Sequence, residues 1–314
     1  MNRKPIFIGV AAAVLVPIGL FLHTFSAAPL PEPDPYGGPP PTAKPPEELA
    51  VFSVMTGVNH RVAAYGYRGG SLFERRDFSI GGVLVKHPQG DLLIDTGFGR
   101  DFREQFRTMP WIFRAVTFYT LWQPATEQLK ITGYDRKSLR AILPTHSHWD
   151  HISGLPDFPG VPVWVTPREH EFIRGADTFQ WGRLFSGIRY EELGFEGGPC
   201  LGFPASHDVY GDGSIVVVPA PGHTPGSVII FVTLHNGLRY AFVGDLVWQL
   251  EGMDQREERP WISRRSDSDA EGTRENLLRM IAIKERLPEL IIVPAHDMRA
   301  FAKLPALSQP RSGT

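Results

Sequence analysis

The order of apolar and polar residues divides the chain into an apolar N-terminus, a proline-rich stretch and a long mixed region. In the mixed region, apolar runs of strand length alternate with turn-forming residues, a pattern typical of β-strands. The predicted strands are residues 49–56, 81–87, 91–95, 137–143, 161–165, 226–234 and 238–243, with further apolar runs at 214–222, 240–244 and 290–295. Asn236-Gly237 predicts a hairpin turn between two of these strands. Helices are predicted to begin at Pro167 and to cover residues 268–286.

The N-terminal segment begins with basic residues and continues as an uncharged apolar stretch from Ile6 to Leu22. Such a segment is an export signal or a membrane anchor, and about 17–20 apolar residues are just enough to span a bilayer. Residues 26–28 resemble a cleavage site, but Pro29 follows them. We therefore favour an uncleaved anchor in residues 1–28, with the folded domain in the periplasm or otherwise outside the cytoplasm. The alternative is secretion after cleavage of a signal peptide.

The middle of the chain is expected to carry one folded domain between a linker and a tail. Residues 29–47 are rich in proline, which lacks a backbone donor and fixes φ, so they predict a stiff, extended linker. A disordered tail without a spacing role is the alternative for this stretch. Residues 48–305 are expected to form the domain, and residues 306–314 a flexible tail.

One polar motif stands out, a His-x-His-x-Asp-His sequence formed by His146, His148, Asp150 and His151. In an extended segment, His146 and His148 would lie on the same side of the chain. Further downstream, three apolar runs end immediately before a histidine or an aspartate: His223, Asp245 and His296. Strands that end at a shared edge would bring all these side chains together on a rigid scaffold.

Five histidines and two aspartates are what two adjacent zinc ions require, because imidazole nitrogen and carboxylate oxygen are standard zinc ligands. Two such metals can share a hydroxide and hold both the attacking and the leaving oxygen of a hydrolysis. The motifs therefore indicate a metal-dependent hydrolase with two Zn²⁺ per chain. The alternatives are a histidine-rich loop that binds metal adventitiously, and polar residues that cap a helix.

Together these motifs resemble the metallo-β-lactamase-fold superfamily of metal-dependent hydrolases, over roughly residues 50–305. The matching segments are Leu92-Leu93-Ile94-Asp95-Thr96-Gly97, residues 146–151, Pro221-Gly222-His223-Thr224-Pro225-Gly226, Gly244-Asp245 and Pro294-Ala295-His296-Asp297. The resemblance implies an α/β fold of layered α+β type, the αβ/βα four-layer sandwich. It also implies that the metals lie at one edge of the two sheets.

The resemblance also implies a role for each side chain. The first metal would be held by His146, His148 and His223, and the second by Asp150, His151 and His296. Asp245 would bridge the two metals, and Asp95 would orient ligands without binding metal. Asp150 and Asp245 are the predicted catalytic carboxylates, with Asp150 relaying a proton to the departing alkoxide.

Within the superfamily, residues 206–215 are similar to the acyl-homoserine-lactone lactonase branch. Those lactonases carry a tyrosine three residues after the bridging aspartate, where this chain has Trp248. Because an indole has one N–H and no hydroxyl, homoserine lactones are expected to be poorer substrates than other esters or lactones. The only cysteine, Cys200, lies outside the motifs, unlike the cysteine ligand of the best-known β-lactamase subgroup.

Two other activities of this superfamily stay open as alternatives. One is a thioester hydrolase of the glyoxalase II type, although that branch has a basic C-terminal extension and few basic residues follow His296 here. The other is a mononuclear iron dioxygenase that acts on persulfides. A nucleic-acid partner is not expected, because 32 basic and 34 acidic residues leave a net charge of -2, without the basic stripe such a partner needs.

Residues 109–122 are unusually rich in aromatic side chains. They are interpreted as a lid or apolar wall that accepts an acyl chain beside the metals, as a contact with a membrane surface, or as ordinary packing on the sandwich. The residues proposed to line the substrate pocket are Trp111, Phe118, Trp122 and Trp248. A small ester or lactone is the expected substrate.

Overall fold

The computed structural model describes residues 16, 18–38, 41–175 and 185–307, which form two β-sheets with helices outside them. The strands are β1 (Ala50–Val62), β2 (Arg75–Lys86), β3 (Asp91–Ile94), β4 (Phe118–Leu121), β5 (Leu139–Leu143), β6 (Val163–Val165), β7 (Tyr190–Glu192), β8 (His207–Asp208), β9 (Ile215–Pro219), β10 (Val228–Thr233), β11 (Arg239–Gly244) and β12 (Leu290–Pro294). Within the described residues, one sheet has seven strands in the order β4-β1-β2-β3-β5-β6-β7, and the other has five in the order β12-β11-β10-β9-β8.

Short helices connect the strands, and a few longer ones cover the outer faces of the sheets. The helices are α1 (Ala63–Gly66), α2 (Phe102–Phe106), α3 (Trp111–Val116), α4 (Ala125–Ile131), α5 (Trp149–Ile152), α6 (Pro167–Arg174), α7 (Leu250–Asp254), α8 (Trp261–Arg264), α9 (Ala270–Arg286) and α10 (Met298–Phe301), with 3₁₀ turns at Arg136–Ser138 and Leu155–Asp157. α9 begins at Asp269, whose carboxylate accepts hydrogen bonds from the amides of Glu271 and Gly272, which is the usual role of an N-cap residue.

The core has one layer between the sheets and one on each outer face. Ile94 of one sheet and Ile230 of the other belong to the same buried cluster. On the outside, α9 packs Met280 against the second sheet, and α4 packs Leu129 against the first. Because both faces of each sheet are covered, the central strands are apolar throughout rather than alternating. This arrangement confirms the predicted αβ/βα sandwich.

The largest difference from the predicted elements lies at the first hairpin. β1 continues six residues beyond Thr56, and β2 begins at Arg75 rather than at Gly81. The two extensions pair with each other, with His60 opposite Asp77. Val58, Phe78 and Ile80 in these extensions are buried, but polar residues interrupt them and the outer ends are exposed or half-buried, so no continuous apolar run marks the strands.

The N-terminal segment corrects the predicted localisation. None of the helices in residues 16, 18–38, 41–175 and 185–307 is both long and apolar enough to cross a membrane. The prediction of a membrane-anchored protein with its catalytic domain outside the cytoplasm is therefore wrong. Most of the predicted anchor, residues 1–15 and 17, lies outside the described residues. The residues that follow contact the domain. Gly69 N donates to Phe25 O at 2.8 Å, and Ala28 N donates to the Glu257 carboxylate at 2.9 Å.

The described part of the proline-rich stretch, residues 29–38 and 41–47, has neither helix nor extended strand. It lies along the domain surface. Leu30 packs against the outer cluster of the second sheet, and Lys44 N donates to Asp212 O at 2.7 Å.

Candidate metal centre

The candidate ligands lie where strands of both sheets end at one edge of the sandwich. The 146–151 motif follows β5 and continues into α5, and single residues follow the other strands: His223 after β9, Asp245 after β11 and His296 after β12. None of these side chains is more than 9% exposed. Gly244 makes the approach possible, because its φ is 54° and a Cβ there would lie 2.8 Å from Thr145.

Three groups of possible metal ligands occur among the described residues. Two of them have the membership proposed from the sequence, and the third, His146, His151 and Asp245, overlaps both. The ligand atoms of His146, His148 and His223 lie within 4.8 Å of one another, and the same holds for Asp150, His151 and His296. In the second cluster, His296 Nε2 lies 3.5 Å from Asp150 Oδ2. Zn–N bonds of about 2.0–2.1 Å place tetrahedral ligand atoms about 3.3 Å apart. The separation in the second cluster is close to this value, whereas His148 Nδ1 and His223 Nε2 of the first cluster lie 2.8 Å apart. Each cluster is compact enough to hold a metal ion.

Asp245 lies between the two clusters. Its Oδ1 is 3.2 Å from His151 Nε2 and 3.0 Å from His296 Nε2, and its Oδ2 is 3.3 Å from His223 Nε2. Despite these short distances, three buried atoms make no contact with the geometry of a hydrogen bond to any described residue: Asp245 Oδ1, His146 Nε2 and His151 Nε2. Buried polar atoms normally have partners, so these atoms fit a bound cation.

The pKa values of the five candidate histidines are shifted in two directions. Burial, reinforced by the neighbouring histidines, lowers the pKa of His146 and His148 well below the usual value. They are therefore neutral, which is the form that binds a metal. Burial also acts to lower the pKa of His151, His223 and His296, but the neighbouring carboxylates outweigh it and raise that pKa, so a metal would have to displace protons there. Burial alone would raise the pKa of Asp245, but His296 and His151 outweigh it and hold that pKa well below its usual value. Burial raises the pKa of Asp150.

Hydrogen bonds fix the second ring nitrogen of three of the histidines. Nδ1 of His151 contacts Asp95 Oδ2 at 2.9 Å, and Nδ1 of His296 contacts Ser79 O at 2.8 Å. Nδ1 of His223 contacts Asp267 Oδ1 at 2.7 Å. Each contact sets the tautomer that leaves Nε2 free to face the centre. Asp95 is therefore in the position predicted for it, whereas Asp267 was not anticipated.

Glu169 is a further buried residue that the sequence did not reveal. Its carboxylate accepts hydrogen bonds from Ser147 N at 2.7 Å, Thr224 Oγ1 at 2.7 Å and Gly226 N at 3.0 Å. Burial raises its pKa, although these donors act in the opposite direction. Thr166 and Glu169 have the spacing of a capping box, so the pattern favours a local helix cap. In the structure the glutamate joins the loop of His146 and His148 to the loop of His223.

The proposed pocket residues divide into two groups. The indole of Trp248 lies at the centre, where its Nε1 donates to Asp245 Oδ2 at 2.7 Å. The other three, Trp111, Phe118 and Trp122, are exposed on and beside α3 and β4. α3 reaches the ligand motif through Phe113, whose ring centroid lies 5.8 Å from that of Trp149.

The two-sheet sandwich with a buried histidine and aspartate cluster at its edge defines a metal-dependent hydrolase. The chain belongs to the metallo-beta-lactamase superfamily, whose family model matches residues 82–296. It is 32% identical over 232 residues to a probable metallo-hydrolase of Mycobacterium tuberculosis, and the aligned region covers 68% of this chain and 73% of that protein. It is 25% identical over 183 residues to the N-acyl homoserine lactonase AttM of Agrobacterium fabrum, and the aligned region covers 55% of this chain and 66% of the lactonase.

Solved structures share the fold at lower sequence identity. An N-acyl homoserine lactone hydrolase with the product N-hexanoyl-L-homoserine at its catalytic metal centre has a TM-score of 0.67 and 17% identity, covering 85% of this chain and 98% of its own. AidC, a dizinc quorum-quenching lactonase in complex with a product, has a TM-score of 0.53 and 17% identity, covering 82% and 91% of the two chains. The predicted superfamily is confirmed by the family model that matches residues 82–296, and these structures share its fold.

Proposed function

We propose that this metallo-hydrolase is a dinuclear zinc enzyme that cleaves an ester or lactone bond. His146, His148 and His223 hold one zinc ion, while Asp150, His151 and His296 hold the other. The observation that carries the proposal is the position of Asp245, which has one carboxylate oxygen beside each histidine cluster. Asp245 with two histidines would also suit a mononuclear iron site. The separate group of Asp150, His151 and His296 is what favours two metals over a mononuclear iron dioxygenase.

The chemistry divides between the metals and the chain. Zinc bound by these residues would lower the pKa of a coordinated water to about 7 and would polarise the carbonyl of the substrate. Asp245 would stay anionic between the clusters, because bound cations would stabilise its charge. Asp150 lies at the same edge and is the residue proposed to pass a proton to the leaving oxygen. The near-complete burial of the ligands keeps bulk water away, which strengthens their electrostatic effect.

The proposed substrate is an ester or lactone with an apolar substituent. Lactonases among the relatives support this class. Trp248 argues against homoserine lactone as the preferred substrate, since its indole N–H is used by Asp245 and is not free to polarise a carbonyl. The exposed apolar side chains of α3 and its neighbours, Trp111 and Phe118 among them, offer a surface for the substituent.

The test combines metal analysis with a substrate screen on the purified full chain. We expect about two zinc ions per chain and turnover of aryl esters or simple lactones. The screen includes a glutathione thioester, to test for a glyoxalase II-type enzyme, and a persulfide with oxygen. His223→Ala should lose zinc and activity, whereas His235→Ala, which changes an exposed histidine, should retain both. Full activity in a protein without metal would refute the proposal.

A further inference from the structure

Arg259 is a buried cation that has no part in the function proposed above. It lies between α7 and α8 and is only 4% exposed. Its guanidinium forms an ion pair with Asp267, whose side chain is fully buried, and its Cζ lies 4.5 Å from the ring centroid of Trp248. A buried charge is costly unless it is paired and hydrogen-bonded. These contacts therefore hold the guanidinium in one place.

Each partner of Arg259 contacts a different proposed metal ligand. Asp267 Oδ1 lies 2.7 Å from His223 Nδ1, and Trp248 Nε1 donates to Asp245 Oδ2 at 2.7 Å. The same Asp245 oxygen lies 3.3 Å from His223 Nε2. These residues form a closed ring of contacts, which we call the Arg259 ring: His223, Asp267, Arg259, Trp248 and Asp245.

We propose that Arg259 is a positioning residue that holds His223 and Asp245 in the geometry required for metal binding. The proposal rests on the proposed function, because it assumes that these two residues bind metal. Arg259 acts on His223 by fixing the Asp267 carboxylate, which in turn fixes the tautomer of the imidazole. It acts on Asp245 by packing against Trp248, which keeps the indole N–H directed at the carboxylate. Such outer partners commonly tune metal affinity.

The side chain must be an arginine for both contacts to form. A planar guanidinium can donate to a carboxylate in its plane while its face lies on an aromatic ring. A lysine at position 259 would keep the charge beside Asp267 but lose the flat face against Trp248. Arg259→Lys is therefore expected to keep the ion pair with Asp267, which positions His223, and to lose the packing against Trp248, which positions Asp245.

The experiment measures zinc affinity in the full chain by competition with a chelating dye. Arg259→Met is expected to bind zinc about 10–100-fold more weakly, and Arg259→Lys should lie between it and the wild type. Arg274→Met is the matched control, since Arg274 pairs with Glu258 and Glu271, outside the Arg259 ring. With Co²⁺ in place of zinc, the visible absorption bands should shift in Arg259→Met and stay unchanged in the control, because they report ligand geometry.

Arg259→Met leaves the buried carboxylate of Asp267 without its guanidinium partner, which can prevent folding. A double variant keeps the test valid in that case. Arg259→Met/Asp267→Asn removes both charges and should show the same loss of zinc affinity, with circular dichroism as the check on folding. A folded variant of either kind that binds zinc as tightly as Arg274→Met, with unshifted cobalt bands, would overturn the role of Arg259 alone. A wild-type protein that binds no metal would overturn both this role and the proposed function.

Discussion

Replacing Glu169 with glutamine tests how the two ligand-bearing loops are held together. One carboxylate oxygen accepts from the backbone amide and hydroxyl of Ser147, and the other accepts from Thr224 Oγ1 and Gly226 N. Four donors thus converge on one buried carboxylate. A glutamine amide has a single acceptor oxygen, so its NH₂ group must face donors on one side or the other.

The magnitude follows from which donors can adapt. The hydroxyls of Ser147 and Thr224 can turn and accept from the amide, but a backbone N–H cannot. One buried N–H is therefore left without an acceptor, at a cost of about 1–3 kcal/mol, and the remaining hydrogen bonds lose the extra strength of a charged acceptor. Relief of the buried charge works in the opposite direction. We expect a net loss of about 2 kcal/mol in the free energy of unfolding.

Urea unfolding of zinc-loaded and zinc-free protein measures this loss, with Glu171→Gln as the control. Glu171 lies on the same helix and is exposed, so its substitution should change the unfolding free energy by less than about 0.5 kcal/mol. Because the loops of His146 and His223 lose their link, kcat/KM of Glu169→Gln should also fall about 10–100-fold. If Glu169→Gln and Glu171→Gln behave alike in both assays, the carboxylate does not hold the loops.

Further predictions concern the centre and its substrate. Asp245→Asn should reduce kcat about 10²–10³-fold, because charge is lost beside both clusters, whereas Asp95→Asn should cost about 10–100-fold; equal losses with metal still bound would contradict this division. If the indole only fills the space, Trp248→Tyr should raise homoserine-lactone turnover measured as kcat/KM, whereas a decrease would show that its hydrogen bond to Asp245 is needed. Longer acyl chains should be better substrates if they lie on Trp111 and Phe118, by up to about 0.8 kcal/mol per buried methylene; a flat chain-length series would exclude that surface. Removing the metal with a chelator should lower Tm, because a ligand of the folded state stabilises it, and an unchanged Tm would exclude a stabilising metal.

The sequence predicted the parts of the fold in which burial is complete. β10 and β11 are apolar on both faces and flank an Asn-Gly turn, so their hairpin was predictable. The end of β1 and the start of β2 mix buried apolar residues with polar ones, so they carry no clear strand pattern. β4 was missed because it is only four residues long, with Tyr119 and Leu121 packed on the core and Phe118 and Thr120 exposed at the edge of the sheet.

The same contrast applies to the centre. The candidate ligands either lie close together in the sequence or follow apolar runs, so their pattern indicates a shared site. Glu169, Arg259 and Asp267 lie in segments rich in charged residues, and such residues are usually exposed. Asp267 contacts His223 across 44 residues of sequence, and no local spacing connects the two. Only the folding of α9 and the segment before it against the His223 loop makes this carboxylate part of the centre.

Charge explains why so many acidic side chains are buried at this edge. Two of them, Asp150 and Asp245, lie among the histidines, and three more contact the ligands or their loops: Asp95, Glu169 and Asp267. In the metal-free protein, Arg259 offsets one of these charges. Burial acts to lower the pKa of His151, His223 and His296, but the neighbouring carboxylates outweigh it and raise that pKa, so protons on the imidazoles offset further charges. Bound cations would displace those protons and balance the carboxylates in their place. The density of buried carboxylates is thus an argument for bound cations that does not depend on ligand geometry.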